Sequence, residues 1–182
     1  KKLKAFVLNN RENENFSFHM CFYGNPGTGK TEVARIIAGI LHENKILPSS
    51  KVIEVSRKDL VGEYIGETPG KTEYAIERAM GGVLFIDEAY QLYQPHDARD
   101  PGKFVIETLL TALADEENRD WMLILAGYTD EMMAMFNMNP GFKSRIPESN
   151  IYTFDDFNAK ELLEIAEQYF LRNDYVLTSK AR

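Results

Sequence analysis

Eight residues near the amino end of the chain have the types and spacing of a polyphosphate-binding loop. They fit the pattern G-x-x-x-x-G-K-[ST], in which glycines let the backbone wrap closely around phosphate oxygens. The lysine of the pattern is predicted to reach the β- and γ-phosphates of a nucleotide, and the final hydroxyl is predicted to bind Mg²⁺. The eight residues are Gly24, Asn25, Pro26, Gly27, Thr28, Gly29, Lys30 and Thr31.

The segments on either side of this loop predict the setting that its chemistry needs. The apolar run from Phe18 to Tyr23 predicts a buried strand before the loop. A helix is predicted after it, and its amino end would point partial positive charge at a bound phosphate. The apolar positions that predict one face of this helix are Val33, Ile36, Ile37, Ile40 and Leu41.

Two adjacent carboxylates follow a second apolar run and predict the other half of a nucleotide site. The run is Val83–Ile86, and Asp87 and Glu88 come directly after it. A parallel strand would deliver them to the ligand edge of the sheet. Asp87 is predicted to bind Mg²⁺ through water, and Glu88 to polarise an attacking water as general base. The alternative is a strand that simply ends in solvated acids. The pair also favours an ATPase over a small-molecule kinase, which needs no water-activating glutamate.

Phosphoryl transfer needs cationic compensation beyond one lysine and one metal ion. Arg145 follows a predicted strand, Met122–Ala126, and is a candidate to act on the nucleotide of a neighbouring subunit. The alternative is an ordinary surface arginine. Four nearby methionines are predicted to serve as flexible packing. They are Met132, Met133, Met135 and Met138.

A short apolar pair between glycines offers a candidate contact with a partner. Tyr64 and Ile65 lie between Gly62 and Gly66. The functional interpretation is an exposed aromatic grip on another molecule. The alternative is a tyrosine that folds back into the core.

Alternating strand and helix signals predict an α/β fold, with a parallel sheet and helices on both faces. Residues 1–155 are predicted to form the nucleotide-binding unit, and residues 156–182 to begin a C-terminal helical unit that these residues do not complete. The further strands are predicted at Lys51–Val55 and Ile151–Phe154, and the further helices at Thr68–Met80, Phe104–Ala114 and Asn158–Arg172.

Composition excludes several function classes. The chain has 182 residues, a net charge of −7 and a single cysteine, Cys21. The acidic balance argues against generic nucleic-acid binding, which needs a basic surface. One cysteine allows no internal disulfide, and no apolar run approaches the length of a membrane span. These features predict a cytoplasmic protein with no membrane or nucleic-acid partner.

Taken together, these segments resemble the AAA+ ATPases from about residue 16 to the end of the chain. Gly24–Thr31 looks like the Walker A motif and Leu84–Glu88 like Walker B. Tyr64-Ile65-Gly66 is similar to the pore loop of ring-forming protein translocases. The strings Leu60–Thr68, Gly81–Tyr90, Leu125–Tyr128 and Asn139–Arg145 resemble the subfamily of red-type Rubisco activase, stage V sporulation protein K and the ATPases of type VII secretion.

The resemblance implies a P-loop NTPase fold, ATP and Mg²⁺ as ligands, and a homo-hexameric ring with Arg145 acting in trans. Tyr64, Ile65 and Gly66 would line a central pore and grip a protein client, and residues 91–102 would supply a second pore-facing loop. The family's usual sensor-1 asparagine is not present, so Tyr128 or Thr129 is expected to take that role. No residue can be assigned to sensor 2, which the family carries in the helical lid.

The leading hypothesis is therefore an ATP-hydrolysing motor that pulls a client polypeptide through a pore. One alternative is a nucleotide-dependent DNA machine of the clamp-loader or helicase-loader kind. A second is a scaffold that uses ATP only to assemble, which the presence of Glu88 disfavours. The identity of the client cannot be inferred from this chain.

Overall fold

The computed structural model describes residues 18–94, 97, 99–115 and 120–175. Residues 1–17 and 176–182, at the outer ends of the two predicted units, lie outside the described residues. Three positions of the predicted second pore loop, at 95, 96 and 98, also lie outside them.

A five-stranded parallel sheet forms the centre of the described fold, as the sequence predicts. The spatial order is β2-β3-β4-β1-β5, so the strand that precedes the phosphate loop has neighbours on both sides. Because all pairs are parallel, the carboxyl ends of the strands meet at one edge. The strands are β1 (Met20–Gly24), β2 (Val52–Val55), β3 (Val83–Ile86), β4 (Met122–Gly127) and β5 (Ile151–Phe154).

Helices cover both faces of the sheet. The first helix packs against one face, with Phe22, Phe85 and Ile124 of the strands beneath it. The later helices contribute residues to the apolar layer on the other face, which includes Leu84 and Leu125. Strands β1, β3 and β4 are buried along their whole length, which explains their continuous apolar runs. The helices are α1 (Lys30–Glu43), α2 (Arg57–Leu60), α3 (Glu67–Ala79), α4 (Gly102–Ala114), α5 (Thr129–Met138), α6 (Pro140–Arg145) and α7 (Ala159–Arg172).

The predicted apolar face of α1 is partly wrong. Ile36 is 55% exposed, whereas Ile37 and Leu41 are buried together with Ala34 and Ala38. Positions 34, 37, 38 and 41 are the true i, i+3, i+4, i+7 series, and two alanines belong to it because the helix lies close to the sheet. The apolar stripe that predicted the helix thus lay to one side of the face that the helix buries.

The methionine-rich segment forms a helix that its composition did not predict. In α5, Met132 and Met135 are buried in the same apolar layer as Phe136, while Met133 and Met138 are exposed. The packing role predicted for the four methionines therefore holds for two of them.

A histidine at the amino end of β1 predicts how stability depends on pH. The backbone N–H of Leu123 donates to Nδ1 of His19 at 3.0 Å, an interaction that needs an unprotonated nitrogen. Burial, with a smaller contribution from the positive charge of Arg145, lowers the pKa of His19 from 6.5 to about 4. Below pH 6.5 the unfolded chain thus binds a proton that the folded chain rejects, so stability must fall as the pH drops towards 4.

We expect this term to cost on the order of 2 kcal/mol of unfolding free energy between pH 7 and pH 4.5. Urea unfolding at the two pH values measures it. His19→Gln should shrink the difference, while His42→Gln, at an exposed histidine, should leave it as in the unmodified protein. An equal pH dependence in both variants would contradict this assignment.

Candidate active site

The phosphate loop closes around the lysine that the motif places at the start of α1. The Nζ of Lys30 donates to the backbone oxygens of Gly24 at 2.8 Å and Asn25 at 2.7 Å. Gly29 adopts a left-handed conformation, with φ of 84°, which glycine tolerates without strain. Burial lowers the pKa of Lys30, and the nearby Asp87 carboxylate opposes that shift. A cation is thus held within the loop, where a phosphate could replace the carbonyl contacts.

The two predicted carboxylates follow β3 at the same edge of the sheet. The N–H of Asp87 donates to the oxygen of Val55 at 2.9 Å, which continues the strand pairing. Asp87 Oδ1 then accepts the N–H of Glu88 at 3.0 Å. Glu88 has a φ of 48°, in the left-handed region, so the chain turns sharply there before the short 3₁₀ helix Ala89–Leu92.

These segments border a single cavity of about 350 Å³. The cavity lies where the carboxyl ends of β1, β3 and β4 meet, as expected for a ligand site in a parallel sheet. It brings together Lys30, Thr31, Asp87, Glu88 and Tyr128, which the sequence singled out separately. The lining residues are Gly24, Pro26, Gly27, Gly29, Lys30, Thr31, Glu32, Asp87, Glu88, Gly127 and Tyr128. Of the two sensor-1 candidates, Tyr128 belongs to this lining and Thr129 does not.

The donors at this site suit a magnesium ion that arrives with a phosphate. Thr31 and Asp87 both line the cavity and offer a hydroxyl and a carboxylate, which are oxygen ligands that Mg²⁺ accepts. Within the described parts of the chain, no three His, Cys, Asp or Glu side chains cluster closely enough to hold a metal by themselves. Mg²⁺ commonly relies on one or two protein ligands plus substrate phosphates and water, so the pair fits this role.

Three contacts at the site lie beyond what the motifs predicted. The Nδ2 of Asn25 donates to both carboxylate oxygens of Asp156, at 3.0 Å each, which ties the phosphate loop to the segment after β5. The Phe157 ring lies beside Gly29 of the same loop. Gln91 donates to Glu88 at 2.7 Å. The asparagine and aspartate are 131 positions apart in sequence, so local spacing carries no signal for their contact.

Arg145 lies outside the cavity of its own chain. It is the last residue of α6, and its Nη1 donates to the oxygen of Gly141 at 3.1 Å and to Ser144 Oγ at 3.3 Å. Its charge acts on His19, which precedes β1, whereas the phosphate loop follows β1. Arg145 is not among the residues that line the cavity.

Tyr64 and Ile65 are exposed, and the alternative of a core tyrosine is wrong. Their side chains are 73% and 106% exposed. The loop backbone is nevertheless well fixed, because Glu67 Oε2 accepts the N–H groups of Glu63 and Tyr64 at 3.2 Å each. Gly66 turns the chain into α3 with a φ of 92°. Two apolar side chains thus stand on an anchored loop away from the cavity.

Comparison with known proteins places this geometry in a family. Residues 20–149 match the family described as "ATPase family associated with various cellular activities (AAA)". The chain belongs to the AAA family. The match spans every strand except β5 and contains the whole cavity lining, which confirms the predicted resemblance and fold class.

Named relatives fall in the subfamily that the sequence strings resembled. This AAA chain is 49% identical over 166 residues to Protein CbbX of Cereibacter sphaeroides, covering 91% of the chain and 52% of the relative. It is 44% identical to Stage V sporulation protein K of Bacillus subtilis, covering 91% and 50%. It is also 44% identical to the chloroplastic ribulose bisphosphate carboxylase/oxygenase activase of Cyanidioschyzon merolae, covering 92% and 56%. The chain thus spans about half the length of these relatives.

Over the residues that the structure describes, none of the helices combines the length and apolar character needed to span a bilayer.

Proposed function

We propose that this chain is the nucleotide-hydrolysing part of a ring-forming AAA motor that remodels a protein client. The observation that carries the proposal is the shared cavity, in which Lys30, Asp87 and Glu88 border one phosphate loop. Membership of a family of ATPases supports ATP as the substrate.

Each residue of the cavity has a role that its chemistry suits. Lys30 would release its two carbonyl contacts and bind the β- and γ-phosphates, while Thr31 and Asp87 would hold Mg²⁺. Mg²⁺, when bound, would neutralise phosphate charge. Glu88 would accept the proton of the attacking water, and Tyr128, which lines the cavity, would help to orient that water.

A ring is supported by where Arg145 lies. Its side chain contacts Gly141 and Ser144 of its own helix and does not line the cavity of its own chain. Acting in trans, the guanidinium would stabilise charge on the phosphoryl group bound by a neighbouring subunit. We propose that the chain assembles as a homo-hexamer for this reason and because the family resemblance implies one.

A protein client is supported by the loop that carries Tyr64 and Ile65. These exposed apolar side chains make no core contacts that binding would break. When a partner covers them, apolar surface is removed from water, and this favours binding. The net charge of −7 disfavours the clamp-loader or helicase-loader alternative, because a nucleic-acid channel needs basic side chains. The Cyanidioschyzon merolae relative is named as an activase of ribulose bisphosphate carboxylase/oxygenase. That enzyme is therefore the first client to test.

The segment after residue 155 is proposed to begin a helical lid. Helix α7 starts with a capping box at Asn158 and has no buried residue along its length, despite several apolar side chains. The match covers about half of each relative, and we propose that a part of the protein corresponding to their remaining sequence covers that surface. The exposed apolar side chains of α7 are Leu162, Leu163, Ile165, Tyr169 and Leu171.

Tyr64→Ala is expected to separate remodelling from hydrolysis. The tyrosine contributes no group to the cavity and buries little surface, so the melting temperature and ATP turnover should stay close to those of the unmodified protein. Client remodelling should fall by tenfold or more, since an aromatic contact is worth on the order of 1–3 kcal/mol. Full-length proteins should be compared, with a client recovered on a Glu88→Gln ring or with the carboxylase named above.

Two controls make the comparison sharp. Tyr64→Phe keeps the apolar ring and should retain most remodelling. Tyr74→Ala removes another exposed tyrosine, 62% exposed on α3, and should leave remodelling unchanged. If Tyr64→Ala remodels the client as well as the unmodified protein does, the loop is not the grip.

A further inference from the structure

The carboxylate of Glu88 is held at both of its oxygens. The hydroxyl of Tyr90 donates to Oε1 at 3.3 Å, and the side-chain amide of Gln91 donates to Oε2 at 2.7 Å. The second bond is the shorter, and a bond to a charged acceptor is stronger than one between neutral groups. A glutamate side chain has three rotatable bonds, so a fixed donor selects one orientation of the carboxylate from many.

Gln91 can serve as a fixed donor because its backbone is held at both ends. Its N–H donates to the oxygen of Glu88 at 2.9 Å, within the 3₁₀ turn. Its oxygen accepts Nη1 of Arg57 at 2.8 Å. The same guanidinium forms an ion pair with the buried carboxylate of Asp100.

Other residues of the 3₁₀ turn Ala89–Leu92 are also closely packed. The centre of the Tyr90 ring lies 5.6 Å from the centre of the Tyr128 ring. A side chain at Gly127 would collide with the Tyr90 ring. The Leu92 oxygen lies so near Gly102 that a Cβ there would also collide. The turn is thus fixed between the end of β4 and the start of α4, independently of the Gln91 amide.

We propose that Gln91 is a positioning residue that holds the Glu88 carboxylate in its working orientation, so that Glu88 directs its remaining lone pairs at the attacking water. This inference rests on the proposed function, in which Glu88 is the general base. Arg57 and Asp100 contribute indirectly, because Arg57 binds the backbone oxygen of Gln91 and Asp100 pairs with Arg57.

Gln91→Met tests the proposal in the full-length protein. Methionine keeps the length and flexibility of the side chain but cannot donate to Glu88. The expected result is a fall in kcat of about tenfold, with the ATP dissociation constant and the melting temperature unchanged. Gln168→Met makes the same chemical change at an exposed position of α7 and should leave kcat as it is.

A double-mutant cycle with Glu88→Gln distinguishes positioning from a general structural effect. If Gln91 acts only through the Glu88 carboxylate, Gln91→Met should not lower the residual turnover of Glu88→Gln any further. A structural defect would lower it by the same factor as in the unmodified protein, and this would overturn the inference. A Gln91→Met protein with unchanged or raised kcat would overturn it as well.

The failure of this inference is distinguishable from failure of the proposed function. An unmodified full-length protein that turns over ATP, loses turnover on Glu88→Gln and is insensitive to Gln91→Met would keep Glu88 as the base and reject Gln91. An unmodified protein without any ATP turnover would overturn both.

Discussion

Replacing Glu88 by Gln should lower ATP turnover by on the order of a hundredfold or more, while ATP binds as tightly as before or more tightly. The amide keeps the shape of the side chain but cannot accept a proton from water. Binding should persist because Lys30, Thr31 and Asp87, which are proposed to contact the phosphates and Mg²⁺, are untouched. Steady-state phosphate release and equilibrium ATP binding on the full-length protein measure the two effects separately.

Glu32→Gln is the matched control for this experiment. Glu32 also lines the cavity, but its side chain is exposed and pairs with Arg35 at 3.2 Å, one turn along α1. The same loss of a carboxylate there should change turnover by no more than a few-fold. Unchanged turnover on Glu88→Gln would remove Glu88 from the role of general base.

Arg145→Ala should silence hydrolysis in a homogeneous ring while each subunit still binds ATP. The guanidinium does not line the cavity of its own chain, so its loss should not disturb ATP binding there. We expect turnover to fall by 10³-fold or more, as for other trans-acting arginines. The nearby Lys143→Ala, at an exposed residue of the same helix, should have a much smaller effect.

Mixing two inactive variants tests whether two chains build one site. A ring that contains both Arg145→Ala and Glu88→Gln subunits can form an interface in which an intact Glu88 meets an intact Arg145. Partial recovery of turnover in the mixture is therefore expected. If mixed rings form, as shown by native mass spectrometry, and no turnover returns, Arg145 does not act in trans.

Much of the fold and the cavity could be predicted because the decisive signals are local. The phosphate-loop motif, and the carboxylates after a continuous apolar run, each need only a strand that ends at the correct edge of the sheet. Parallel pairing then brings Lys30 and Asp87 together without further information. The strand predictions were accurate to within two residues. At β1, β3 and β4 this is because a strand that is buried on both faces has an uninterrupted apolar sequence.

The sequence could not predict which neighbours hold these residues in place. Asn25 and Asp156 meet only because β5 pairs with β1, a long-range choice that no local spacing reveals. Gln91 lay within the polar stretch assigned to a loop, and its contact with Glu88 depends on the left-handed turn at Glu88 itself. Ile36 was wrongly predicted to lie on the buried face of α1. The prediction followed the larger apolar side chains and overlooked Ala34 and Ala38, which are buried.

The central claim is that this cavity hydrolyses ATP, and one measurement tests it most directly. Phosphate release at saturating ATP and Mg²⁺ should be measured on the full-length protein beside Lys30→Ala, which loses the cation that the loop encloses. The account predicts sustained turnover by the unmodified protein and none by Lys30→Ala. Equal phosphate release by the two proteins, or none by the unmodified protein, would contradict it.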